Sequence, residues 1–274
     1  MSFITIDTEK CIQDRICVSE CPVRIIRMDS HDEYPVPVSG SEDIRLKCGH
    51  CVTVCPAGAL SLEWLNPEDC KSLNKELYIT PEQAEQFLSG RRSIRTFKEK
   101  KVPRETLRKL LEIACSAPSA KNRQPWHWIV VEEPAEVQRL VDMIIERMRS
   151  AIRDKPAEAE AMGYQGVVAL REKGYDRICR NAPHMVIVHA EKDWIYGIED
   201  CALALGHLDL YATTIGLGTC WAGTFYKAVN AYPSILDYLG VPSHHAVFGA
   251  MMVGYPRFHY QRIPVRNPPQ VTWK

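Results

Sequence analysis

Six cysteines fall in two short runs, Cys11, Cys17 and Cys21-Pro22, then Cys48, Cys51 and Cys55-Pro56. Thiolates spaced this closely are soft ligands, suited to zinc or to iron held with sulfide. A second chemical group is the run Arg91-Arg92-Ser93-Ile94-Arg95. Guanidinium forks and a hydroxyl at alternate positions can meet a phosphate and the electron-rich edge of a heterocycle. A third is the loop Ala117-Pro118-Ser119-Ala120-Lys121-Asn122, closed by Pro125-Trp126. Asn122 offers an amide edge with both donor and acceptor there.

The cysteine runs resemble those of a two-cluster bacterial ferredoxin, which reads C-x2-C-x2-C-x3-C-P with the last cysteine crossing to the other cluster. Each run is one cysteine short. Asp14 stands at the second ligand position of the first run, and Arg45 at the first ligand position of the second. The cross-over implies Cys11, Cys17 and Cys55 around one cluster, and Cys21, Cys48 and Cys51 around the other. Asp14 can ligate iron through oxygen, a harder and more labile bond, so the first site suits a 4Fe-4S or a 3Fe-4S cluster. Arg45 has no lone pair to offer. The second site is then three-iron, or takes a fourth ligand from solvent or from a residue such as Cys70. The competing reading is an iron-free remnant or a zinc site, since Cys48 and Cys51 have zinc-ribbon spacing. Cys115, Cys179, Cys201 and Cys220 lie in apolar text and read as buried structural thiols.

From residue 80 to 274 the chain resembles the nitroreductase family of FMN enzymes. The arginine run and the Asn122 loop carry the resemblance, together with Gly216-Leu217-Gly218-Thr219-Cys220-Trp221-Ala222-Gly223 and Gly254-Tyr255-Pro256 followed by Arg262 and Arg266. With the cysteine runs in front, the whole is similar to the ferredoxin-fused branch of that family. The resemblance implies a nitroreductase-like α/β sandwich, with a mixed central sheet and flanking helices, and an intertwined homodimer with FMN at the interface. It implies that Arg91 and Ser93 contact FMN near the phosphate, Arg95 near the N1/O2 edge and Asn122 on the other side of the ring, with Arg92, Pro118 and Ser119 also among the cofactor-binding residues. Ala222 and Gly223 approach N5 through their backbone, and Arg262 and Arg266 complete the phosphate site. No side chain is required as a catalytic group, with Arg95 giving electrostatic support. The implied activity is reduction of a small conjugated acceptor, a nitroaromatic or quinone, with electrons from the clusters, from NAD(P)H or from a redox protein. Two other readings stand beside it. One is an electron-transfer or redox-sensing protein acting on a protein partner. The other is a specialised flavin chemistry such as reductive dehalogenation or flavin breakdown, for which residues 156–180 are the one candidate lid.

These groups need elements to position them. A chain of 274 residues, 46% hydrophobic, can build one large domain and a small appendix. The divisions expected are a ferredoxin-like domain at 1–65, a connector at 66–79 and the FMN-binding domain at 80–274. Thr80 caps a helix opened by Pro81, and Leu107, Leu110, Leu111 and Ala114 share one face of another. Further helices are predicted over 134–152, 156–173 and 195–214, and buried strands over 127–132, 184–189 and 246–253. Without a regular βαβ rhythm the class is α+β. His207, His244 and His245 read as structural histidines, and Trp126 and Trp128 as core or interface aromatics. Formal net charge is zero, which argues against nucleic acid. The opening residues lack a signal-peptide pattern and no apolar stretch is long enough for a membrane span, so a cytoplasmic protein is expected.

Overall fold

The computed structural model describes residues 3–30 and 32–274, which divide into two compact units. The first comprises Met1–Ile79 with Lys121–Arg123, and the second Thr80–Ala120 with Gln124–Lys274. The segment expected as a connector, 66–79, thus belongs to the first unit.

The first unit has little regular structure. Strand β1 (Ile4–Ile6) pairs antiparallel with β4 (Leu60–Leu62), and β2 (Ile26–Arg27) with β3 (Val36–Pro37). Two short helices, α1 (Ile16–Glu20) and α2 (His50–Thr53), follow the start of each cysteine run. The two runs are copies of one backbone motif, 34 residues apart. Left-handed backbone recurs at Gln13 and Lys47, at Arg15 and Gly49, and at Arg24 and Gly58. The amide of Ile25 donates to Cys21 Sγ and that of Ala59 to Cys55 Sγ, both at 3.4 Å. Non-glycine residues seldom adopt positive φ. The recurrence of positive φ at matched positions, with Gln13 and Lys47 both non-glycine, shows that the chain wraps twice in the same way.

The second unit is a three-layer sandwich around a four-stranded sheet in the order β5-β6-β8-β7. The strands are β5 (His127–Val131), β6 (His184–Glu191), β7 (Gly218–Trp221) and β8 (His245–Gly254). All three ladders are antiparallel, whereas a mixed sheet was expected. The single helix α8 (Gly197–Thr214) joins β6 to β7, and these two strands do run parallel. However, β8 lies between them and no parallel ladder forms.

Alternation along β6 sends Met185 and Ile187 to one face and Val186, Val188 and Ala190 to the other, all fully buried. On the first face packs α5 (Pro134–Asp154), whose Val137, Leu140, Val141, Ile144, Ile145 and Met148 form a helical stripe. With it lie α7 (Tyr164–Glu172) and α9 (Gly223–Ala231). On the second face α8 packs beside α4 (Arg104–Ala114), the latter through Leu107, Leu110 and Ala114. Helix α3 (Pro81–Gly90) opens with Pro81 and a capping box between Thr80 and Gln83. The helix predicted over 156–173 is two, α6 (Pro156–Ala161) and α7, broken at Gly163 with φ +67. A last short helix, α10 (Pro233–Tyr238), precedes β8.

Candidate functional site

In the first unit the cysteines line two cavities. One is walled by Cys11, Cys17, Cys55 and Asp14, the other by Cys21, Cys48, Cys51 and Arg45. These are the two groups expected from the cross-over. Burial pushes the Cys17 and Cys51 thiols up to about 11. Asp14 Oδ1 accepts from the Ile16 amide at 3.1 Å. Arg45 lies over the Phe3 ring and pairs with Glu63 through Nη2, while its buried Nη1 has no hydrogen-bond partner. Cys70 packs on the module core but lines neither cavity. Among the described residues no three ligand side chains converge on a point that a single ion would occupy. Three thiols lining each cavity match the thiolate ligation of an iron–sulfur cluster.

In the second unit, residues 91–98 run beside β7 and the end of β8, tied by Ile94 N–H to the Thr219 carbonyl (2.8 Å) and Lys98 N–H to Tyr255 (2.9 Å). Gly218 permits this approach, because a Cβ there would meet Ile94 at 2.3 Å. Arg91, half-buried, pairs with Asp209 of α8 at 3.3 Å, and Asp209 also accepts from the Thr219 hydroxyl. Desolvation by burial raises the Asp209 carboxyl above its ordinary range, against the opposing pull of Thr219 and Arg91. Arg92 stacks on Tyr260. Arg91 and Arg92 line a cleft of about 290 Å³ with Gly218, Pro256 and His259, and Ser93 is half-buried between them and Arg95.

Arg95 is not in that cleft. It lines another, of about 500 Å³, with Arg177, Arg180 and Arg257. Buried Asp176 shapes this wall by accepting the amides of Ile178, Cys179 and Asn181 at 2.8 to 2.9 Å. Four arginines around one cleft favour an anion.

The loop after α4 is fixed at both ends. Asp200, 2% exposed, accepts from Ala120 N–H and from Trp194 Nε1, and Ser119 Oγ accepts from Gln124 N–H. Pro118 is exposed. Asn122 groups with the first unit, where its Nδ2 donates to the Lys47 carbonyl at 2.9 Å. Ala222 N–H is taken by the Ala250 carbonyl, so Gly223, first residue of α9, is the nearer free amide of the expected pair. Arg262 and Arg266 lie in an exposed tail without helix or strand, and the cleft of Arg91 is closed from the tail by His259 and Tyr260 instead. Cys179, Cys201 and Cys220 are buried as expected, with Cys201 pushed up to about 12, but Cys115 is partly exposed.

Sequence reasoning missed Asp200, Asp209, Arg177, Arg180 and Arg257. Asp200 and Asp209, acids at positions of a mostly apolar helical run that the fold buries, were the available signal. The three arginines had none, since nothing local marks residues that only the fold gathers.

The model of the nitroreductase family matches residues 88–255, more than half of the chain, and that of the 4Fe-4S binding domain matches residues 4–27. An NADH dehydrogenase of Thermus thermophilus is 30% identical over 199 residues, 67% of this chain and 92% of its own. A 4-nitrobenzoate reductase of Nocardioides sp. is 23% identical, over 62% of this chain and 78% of its own. The solved nitroreductase of Bacteroides fragilis with bound FMN is 26% identical with a TM-score of 0.56, covering 70% of this chain and 99% of its own.

Proposed function

Because the chain belongs to the nitroreductase family, we propose that it is an FMN-dependent oxidoreductase reducing a small conjugated acceptor, a nitroaromatic or quinone, with electrons drawn through its iron–sulfur module or from NAD(P)H. The observation that carries the reading is the pairing, in one chain, of this fold with a twice-wrapped module whose thiols line two cavities. When bound, FMN supplies hydride and single-electron exchange at N5, and iron–sulfur clusters supply one-electron transfer.

The chain's own residues fit these groups. Arg91 and Arg92 would hold the phosphate, with Asp209 fixing the Arg91 fork. The Gly223 amide, at the positive end of α9, would donate to the ring, and Arg95 supplies a fixed charge for an anion forming beside it. Arg177 and Arg180 favour an acceptor that bears a carboxylate. We place FMN at a homodimer interface. Helix α8 leaves Ile198 and Leu203 exposed, and the tail leaves Val265 and Trp273 98% and 90% exposed, surfaces that a second copy would cover. Among the described residues no helix is long and apolar enough to cross a membrane.

Anaerobic stopped-flow absorbance tests the reading. Cys17→Ser with Cys51→Ser should abolish flavin reduction by a low-potential one-electron donor and leave reduction by NADH intact. Unchanged reduction by both donors would sink the relay. A second reading, delivery of electrons to or from a redox protein, is favoured by Ile12, 65% exposed beside Cys11. It requires turnover that saturates with the partner protein.

A further inference from the structure

Resting on the proposal that the module binds iron–sulfur clusters, we infer that Arg45 replaces an iron ligand at the second cavity, closing a three-iron cluster and donating its Nη1–H to a cluster sulfur.

The first ground is register. Left-handed residues match in three pairs at the same spacing, Gln13 with Lys47, Arg15 with Gly49 and Arg24 with Gly58. The hydrogen bonds of the two wraps match as well. The amides of Val18 and Ser19 return to the Arg15 carbonyl as those of Val52 and Thr53 return to Gly49, in addition to the matched amide-to-sulfur bonds. With the backbones superposable in this sense, Arg45 occupies the place of Cys11 and Cys48 that of Asp14. Each wrap has lost a different thiolate.

The second ground is the environment. The first cavity keeps a replacement ligand, because Asp14 lines it and uses only Oδ1 toward Ile16. The second has Arg45 instead, whose guanidinium stays protonated and binds no iron. Its side chain is 21% exposed, one nitrogen is spent on Glu63 and the plane rests against Phe3. The remaining Nη1 is buried in that wall without an acceptor. Buried donors are almost always paired, and sulfur is the acceptor chemistry that three thiolates and their cluster bring to this cavity.

The consequence is electrostatic. A guanidinium beside the cluster and a hydrogen bond to its sulfur offset the cluster's negative charge, which favours its reduced form and raises its potential. Arg45 is therefore a tuning residue, acting through charge and one N–H.

Iron and sulfide content, EPR of the oxidised and reduced states, and an EPR-monitored redox titration test this on the anaerobically purified full chain and on Arg45→Cys and Arg45→Met. The unvaried protein should show the oxidised three-iron signal. Arg45→Cys should remove the second cavity's share of it, leaving at most one three-iron cluster per chain, and add about one iron per chain, and Arg45→Met should keep that share at a lower potential. Two four-iron clusters in the unvaried protein, or a three-iron signal that Arg45→Cys leaves untouched, would overturn the assignment while leaving the relay standing. An unchanged potential in Arg45→Met would overturn the hydrogen bond. FMN without iron would overturn the relay and this inference together. Should Arg45→Cys fail to fold, the unvaried protein and Arg45→Met still decide.

Discussion

The two units solve the problem of stability by different means. In the second, both faces of a sheet are covered by helices, and side chains such as Leu140, Ile144, Leu205 and Leu208 are entirely buried. In the first, strands are two or three residues long and the core is one small cluster around Ile26, Val52 and Leu60. Cys17 and Cys21 are part of that core, and Cys51 packs against it. A module this small needs its bound groups to remain folded, whereas the larger unit needs only apolar burial. Bound groups would serve the first unit's stability as well as its chemistry, and the second unit's chemistry alone.

The widest separation should come from removing iron. Chelation under reducing conditions should expose residues 3–79 to protease and hydrogen exchange while the main thermal transition stays in place; loss of both together would break the comparison. Next in size, Leu140→Ala should cost the second unit about 3 kcal/mol in denaturant unfolding and leave iron content unchanged.

A pH effect follows, also confined to the second unit. His127, His189 and His245 meet at one end of the sheet, with His189 Nδ1 and His245 Nδ1 2.9 Å apart. Burial, then His245 and His127, lowers His189 to about 4, and burial lowers His245 as well. A histidine depressed on folding is neutral in the native state, so its contribution is present above its unfolded value of about 6.5 and is lost as pH falls through about 4. Unfolding of the second unit should lose roughly 2–3 kcal/mol across that window, and His189→Gln should flatten the loss. Smaller again, Arg91→Ala should weaken FMN binding by about tenfold, read by flavin fluorescence, with iron unaffected. The smallest expected effect is on substrate choice. Arg177→Ala with Arg180→Ala should raise KM for 4-nitrobenzoate severalfold and leave that for uncharged nitrobenzene unchanged.

Much of this was legible where local pattern and fold agree. The stripe on α5 and the capping box of α3 are written in sequence, as is the grouping of the six thiols. Strand β7 was not, because Gly-Thr-Cys-Trp is short and lacks clear alternation, and only its ladder with β8 makes it a strand. The antiparallel sheet was hidden for a similar reason, since insertion of β8 between β6 and β7 is a long-range event. At the site, Arg91 was readable as a candidate for binding phosphate, but its tie to Asp209 was not readable. Arg45 was readable as an iron ligand lost, but its unpartnered nitrogen emerges only in the fold.

Lys121–Arg123 complete the first unit, and Asn122 bonds the carbonyl that precedes Cys48. A ribosome delivering the chain from its N-terminus therefore releases the cysteine runs well before the last piece that packs with them. A truncation after residue 79, however natural as a boundary, would leave the Lys47 carbonyl without its donor.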